Sequence, residues 1–334
     1  MLFNKANKGK EEMKSILGFI YATNSFENLK TDLLLAEDDM RSLIGDDLFD
    51  AVQVYYTAGP SDDPDEDETT AFELIPYIQA PMAFYAYKNY ATHGDLAHSE
   101  KGRRILTNEQ EKMPFEWMIE RDDQSMLAKA HKLTDRLLAF LEKNKENVFI
   151  EDNWTTKPVY LATKQLFVNN ATDFDQVFPI DKSRRFFLKV ASFIREIEET
   201  TLFSVLGKTD YDALKLEISA SEAISDDSKA LLAMIRVPLV LYTMVTAIKR
   251  LSIEILPEGL FQNYVPDTQT IRAKSASPIE LKKQVAASLS SDADNALIRL
   301  QEFLAVRKAE ADGTQYVPQN LTDHNLPENK HFRV

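Results

Sequence analysis

Two stretches of this chain, "IQAPMAFYAY" at 78 to 87 and "IRVPLVLYTM" at 235 to 244, echo one another. Ile78 matches Ile235, Pro81 matches Pro238 and Tyr85 matches Tyr242, each at a separation of 157. A proline in a long apolar helix removes a backbone donor and is seldom tolerated, so a proline helix written twice points to a unit built twice. Carried onward, the same register aligns Gly102 with Gly259, each after a helix, where a turn or short hairpin is expected. Upstream, "MRSLIGDDLFDAV" aligns with "LFSVLGKTDYDAL" through Gly45 and Gly207, Asp50 and Asp212, and Ala51 and Ala213, at a separation of 162. The difference of five is about what the acidic stretch "SDDPDEDETT" adds between the two registers. Downstream, "LTDRLLAFLE" and "ALIRLQEFLA" match Leu137 with Leu300, Phe140 with Phe303 and Leu141 with Leu304.

Three correspondences in the same order predict an all-α fold of two similar helical bundles, packed together, with at most a short hairpin. The expected boundaries are a first helical half over 1–150, a second over 151–308 that includes a connecting helical segment, and an extended C-terminal tail over 309–334. The rival explanation is that two long buried helices share Leu, Tyr and Pro by coincidence. It predicts different neighbours and directions for the two helices.

Local patterns fill in the halves. Apolar residues return at three and four from Phe26 to Tyr56, giving two amphipathic helices broken near Gly45. The segment 72–90 is apolar around most of its circumference and reads as a buried central helix that Pro81 either opens or kinks. Pro158 begins a helix, Thr172 and Asp173 are candidate caps, and Asp181 to Ser183 lead into a helix over 184–205.

Composition agrees with helices and narrows the function classes. Apolar residues make up 44% of the 334, and glycines number only 9. The formal charge of −14 argues against a broad nucleic-acid-gripping surface, which needs Lys and Arg to displace counterions. With no cysteine, disulfides, thiolate metal sites and cysteine nucleophiles are excluded. The longest uncharged apolar run, 237–248, is shorter than the roughly 20 residues that span a bilayer. No export signal is read at the N-terminus, and no membrane association is expected.

Asp63, Asp65 and Asp67 occupy the first three ligand positions of a calcium loop, but Glu68 stands where the turn glycine belongs and Leu74 where the closing Glu belongs. A solvated loop is expected over 61–70. His93, Asp95 and His98 form the densest histidine cluster, at a helix end, and "ENKH" at Glu328 to His331 is the only Glu-x-x-His. His131 and His324 stand apart. No glycine-rich phosphate loop, Gly-x-Ser-x-Gly or His-Glu-x-x-His occurs. The expectation is therefore no catalytic residue, no cofactor-binding residue and no metal ligand. The basic spots Lys101 to Arg104 and Lys182 to Arg185 read as solvated helix ends, with contact to a phosphate or an acidic neighbour as the alternative. "EKMPFEWMIERDD" groups Met113, Phe115, Trp117 and Met118, which form an interface patch if exposed and core if covered.

"LFVNNATDFDQVFPIDKSRRFFLKVASFIREIEE", with "ELIPYIQAPMAFYAY" and "PFEWMIERDD", resembles an uncharacterised family of similar length from Bacteroidetes genomes, found among prophage structural genes. The resemblance spans Phe26 to Lys308 and implies a non-enzymatic virion structural or assembly protein, such as a head–tail connector subunit. It transfers no catalytic residue. It also implies protein partners or self-assembly, no sequence-specific nucleic acid, and a cytoplasmic location or incorporation into a virion-like particle. A different class remains open: a monomeric helical module binding a peptide or apolar ligand.

The incomplete ligand sets yield a first prediction. A ligand specific for the native state raises apparent stability by about 2.7 kcal/mol at a hundredfold excess over its dissociation constant. Thermal shift with calcium, magnesium, zinc, ATP and NAD should show no saturable rise. Saturation at micromolar calcium would point to Asp63, Asp65 and Asp67.

Overall fold

The computed structural model describes residues 1–18, 25–94, 97–99, 102–104, 115–220, 224–251, 253–256, 259–262 and 279–316. Two compact units divide the chain, the first from Met1–Lys164 and Ser183–Lys189, the second from Gln165–Lys182 and the described residues from Val190 onward.

The first unit holds α1 (Gly9–Leu17), α2 (Phe26–Ile44), α3 (Asp46–Ala58), α4 (Glu66–Gly94), the hairpin β1 (Ala97–Ser99) and β2 (Gly102–Arg104), α5 (Glu116–Lys143), α6 (Val148–Ile150) and α7 (Pro158–Lys164). A π turn, Glu151–Thr155, lies between α6 and α7. The second unit holds α8 (Ala171–Val177), most of α9 (Arg184–Ile197), a π turn at Glu198–Leu202, α10 (Phe203–Ser219) and α11 (Asp226–Arg250). The hairpin β3 (Ile253–Leu256) and β4 (Gly259–Gln262) and then α12 (Ile279–Ala311) complete it. Among the described residues the fold is all-α apart from these two hairpins.

In the first unit α4 is central, packed against α2, α3 and α5. Ala71, Leu74, Ile75, Ile78, Met82, Ala83 and Ala86 are all buried along it, a face too wide for one neighbour to cover. Pro81 does not open this helix. It lies inside a 29-residue helix that also contains Pro76. α5 returns antiparallel, with the Tyr77 and Phe140 rings 4.5 Å apart and the Tyr85 hydroxyl 3.3 Å from Thr134 Oγ1. In the second unit α11 and α12 form the same pair, with Tyr242 donating to Asp294 at 2.5 Å and Arg307 3.5 Å from Asp227. Tyr85 and Tyr242 are half-buried, not enclosed, because each hydroxyl reaches sideways to the returning helix.

The duplication extends beyond the matched letters. At a separation of 157, buried Leu74, Ile75, Ile78, Pro81 and Met82 meet buried Leu231, Leu232, Ile235, Pro238 and Leu239. The hairpins share one register: Ser99↔Gly102 and His98↔Arg103 in the first become Leu256↔Gly259 and Ile255↔Leu260 in the second. Gly45 (φ 89°, ψ 152°) and Gly207 (φ 72°, ψ 166°) turn the same corner in the same conformation. Upstream of that corner, buried Phe26, Leu29 and Leu33 meet buried Phe187, Val190 and Ile194 at 161, whereas Met40 and Ile44 meet Leu202 and Leu206 at 162. The one-residue change falls within Glu198–Leu202, because a π turn is an α-helix with one residue added.

Part of the acidic stretch is helix, not loop. Glu66, Asp67 and Glu68 form the first turn of α4, where carboxylates favour the positive helix end. Asp65 Oδ1 accepts from Glu68 N–H at 2.7 Å as the N-cap, and the Glu68 carboxylate accepts from Ser61 N–H and Oγ–H at 2.6 and 2.7 Å. The cap of α8 is Asn170, which accepts from Asp173 N–H at 2.8 Å, so Thr172 and Asp173 lie inside the first turn. α12 runs to Ala311, and residues 317–334 of the expected tail lie outside the described residues.

The corner glycines yield a second prediction. Backbone with φ positive and ψ near 150–180° is open almost only to glycine. A Cβ at Gly207 would meet no atom of the described residues within 4 Å, so Gly207→Ala tests backbone strain. Urea denaturation should show a loss of about 1–3 kcal/mol, and no loss would mean that the corner can relax.

Candidate functional site

Among the described residues no group of three or more His, Asp or Glu side chains could hold a metal ion. His93 lies exposed in the last turn of α4. Asp95 and the His98 side chain, the side chains of Arg103 and Arg104, Met113, His324 and the Glu328 to His331 motif lie outside the described residues. His131 is half-buried beside Tyr85, 6.0 Å between ring centroids. Burial, then the nearby Arg185, lowers its pKa from the ordinary value. Lys182 to Arg185 follows the alternative reading, contact with acidic neighbours. Asp135 of α5 accepts from Ser183 Oγ–H at 2.9 Å and from Arg185 N–H at 2.8 Å, and Arg184 bonds Glu142, which fastens the start of α9 to α5.

What stands out is a buried carboxylate in each repeat. Glu37 of α2 and Glu198 of the π turn correspond at a separation of 161. Glu37 Oε1 accepts from Arg41 Nε at 3.0 Å, and the guanidinium also reaches Asp50 at 2.7 Å and Gln53 at 3.3 Å while lying 4.3 Å from the Phe49 ring centroid. In the second repeat the cation comes from elsewhere. Lys215, the counterpart of Gln53 at 162, pairs with Glu198, donates to Gln165 O at 2.7 Å and lies 5.5 Å from the ring of Tyr211, the counterpart of Phe49. Glu37 is thus neutralised by Arg41 and by the Met1 ammonium 3.3 Å from its Oε2, and Glu198 by Lys215, with Arg41 and Lys215 each set beside an aromatic ring.

Glu198 is 0% exposed. Its carboxylate accepts from Phe167 N–H at 2.6 Å as well as from Lys215. Burial raises its pKa above the ordinary 4.5, and Lys215 only partly offsets this. Burial, then the charge of Glu198, pushes Tyr211 up to about 12. With its acceptor capacity engaged and no solvent contact, this carboxylate is arranged to fix α10 on the π turn, not to exchange protons with a substrate. The pattern that betrays it is spacing: Ile194, Glu198 and Leu202 recur at four, as Leu33, Glu37 and Met40 recur at four and three, so each acid interrupts an apolar stripe.

Two surface features remain. Phe115, Trp117 and Met118, at the start of α5, are 69%, 52% and 41% exposed, an apolar patch followed by Glu120, Asp122 and Asp123. In the second unit a cleft of about 580 Å³ opens between α10 and α12, lined by Leu206, Asp210, Leu304, Ala305, Arg307 and Lys308 among others. α11 is long and apolar enough to cross a membrane, yet 56% of that stretch is buried within the protein.

The ion pair yields a third prediction. Removing one partner of a buried pair leaves the other charge uncompensated, so Lys215→Met should destabilise by about 3–5 kcal/mol near neutral pH. The loss should shrink as pH falls and Glu198 takes a proton. Because the folded-state pKa of Glu198 is raised, the native state binds its proton more tightly than the unfolded chain. Its contribution is thus fully present below 4.5 and is lost as pH climbs through the raised value. Urea denaturation across that window should show Glu198→Gln gaining on the wild type as pH rises, and parallel pH profiles would refute the assignment.

No match is found among curated proteins or among solved structures. One family, described as a family of unknown function (DUF6712), matches in two segments, residues 40–161 and 202–319. The segments begin 162 residues apart, the separation of Gly45 from Gly207, and each contains a corner glycine, a proline helix, a hairpin and its returning helix. Together they cover well over half of the chain, which belongs to the DUF6712 family.

Proposed function

We propose that the protein is a non-enzymatic structural or assembly subunit of the phage or prophage type, joining copies of itself or other virion proteins at the neck between head and tail. The observation that carries this reading is the exposed Phe115, Trp117 and Met118 patch, since aromatic residues and Met are enriched where protein surfaces meet. The resemblance of the sequence to prophage-associated structural proteins points the same way. A net charge of −14 suits a passage through which DNA slides, because an acidic wall repels phosphates. Neither buried carboxylate needs a substrate in this reading.

A second reading, a monomeric helical module for a peptide or apolar ligand, draws on the cleft between α10 and α12, whose volume falls in the range of ligand sites. Mass in solution separates the two. Light scattering after size exclusion, over a hundredfold range of concentration, should show growth from monomer to a defined oligomer, with closed particles in negative stain. A monomer at every concentration, with no virion protein bound, would sink the assembly reading.

A further inference from the structure

Leu2 and Phe3 form an anchored strap. Both are buried in the core of the first unit, and Gln79 of α4 donates to the Leu2 carbonyl at 2.5 Å. Beside them Asn4 N–H donates to Glu12 of α1 at 2.6 Å, and Lys5 N–H donates at 2.9 Å to the Tyr56 hydroxyl of α3, which itself donates to Glu12 at 2.6 Å. The second unit carries the same two letters in the same role. Leu166 and Phe167 are buried, and Phe167 N–H lies 2.6 Å from the enclosed Glu198, much as Met1 N lies 3.3 Å from the enclosed Glu37. The helix that follows each pair packs on the proline helix of its repeat, α1 on α4 and α8 on α11.

The links from strap to helix differ. In the second unit residues 168–170 lead from Phe167 into α8, none of them at positive φ, and Asn170 is extended at φ −150°. In the first, residues 4–8 make the same step, and Asn4, Ala6 and Asn7 stand at φ 70°, 52° and 60°. Asparagine enters this left-handed region at little cost, but in alanine the Cβ crowds the following carbonyl oxygen. The side chains of Ala6 and Asn7 are exposed, so the conformation comes from closing the link and not from burying them. The second unit shows that such a pair can be seated without a left-handed link.

We propose that two copies of the chain exchange this strap: residues 4–8 straighten, and Leu2 and Phe3 of each copy seat in the core of the other, against its Gln79 and Tyr56. The core contacts of the closed form are kept while the left-handed turn is released, and a strained hinge of this kind favours exchange. Straightened, five residues span roughly 17 Å, which carries the strap from one core to a core alongside. The exchange is reciprocal, so it closes at two copies. It goes beyond the assembly reading and does not depend on it.

Opposite substitutions at Ala6 test the exchange in the full chain. Glycine accepts the left-handed turn and favours the closed strap, whereas proline fixes φ near −65° and forbids it. By sedimentation equilibrium, Ala6→Pro should pair at a concentration at least a hundredfold lower than Ala6→Gly does. Equal pairing by the two variants would overturn the exchange and leave the assembly reading standing. So would particles larger than a dimer formed by Ala6→Pro at concentrations where the wild type is monomeric, since a freed strap would then be sticking without exchanging. Adding Phe3→Ser to Ala6→Pro removes an anchor and should return the chain to monomer, read only if its circular dichroism matches the wild type; a dimer that persists without the anchor would place the contact elsewhere and overturn the proposal.

Discussion

A helix that is apolar around most of its circumference must be covered around most of it, and this requirement organises each repeat. α4 cannot be satisfied by one partner, so α2, α3 and α5 surround it. The prolines fit the same logic. Pro81 and Pro238 remove one backbone bond each, and both lie buried among the neighbours that the apolar helix requires. α5 and α12 each run antiparallel to the proline helix they pair with, as the Tyr85–Thr134 and Tyr77–Phe140 contacts and the Tyr242–Asp294 and Asp227–Arg307 contacts show.

The buried acids set a second constraint. An enclosed carboxylate is unfavourable without a partner, yet each repeat keeps one at the same place and supplies its cation differently, from within its own helix in the first and from α10 in the second. Replacing such pairs with apolar residues is often neutral or stabilising. Their presence in both copies therefore speaks for geometry over net stability, since the cation ties two helices at one defined crossing.

Much of this architecture was legible in the sequence because it is written in side-chain periodicity and in residues whose backbones are special. Gly45 and Gly207 aligned as letters and share one conformation; Gly102 and Gly259 each open the second strand of a hairpin. What escaped depends on atoms that periodicity does not weigh. A run of carboxylates at 61–70 looks solvated, but the exposed Asp65 caps a helix and the buried Glu68 ties its entry loop. Glu37 and Glu198 hide because a charged letter in an apolar stripe is read as surface. The exposure of Trp117 was undecidable from its letters, since Trp154, equally aromatic in its neighbourhood, is buried.

The π turn at Glu198–Leu202 carries a record of descent. Between the repeats, chain length differs in the stretch before α4 and α11, in the stretch before α5 and α12, and inside this turn. The first two changes fall in connections, where extra residues are absorbed by loop. The third falls inside a helix packed on both sides, where one added residue would rotate everything upstream by about 100°. Widening a single turn confines that rotation to five residues, and Phe187 and Val190 are buried as Phe26 and Leu29 are. A length change in the middle of a core helix has thus been healed on the spot, and the scar lies beside the buried glutamate.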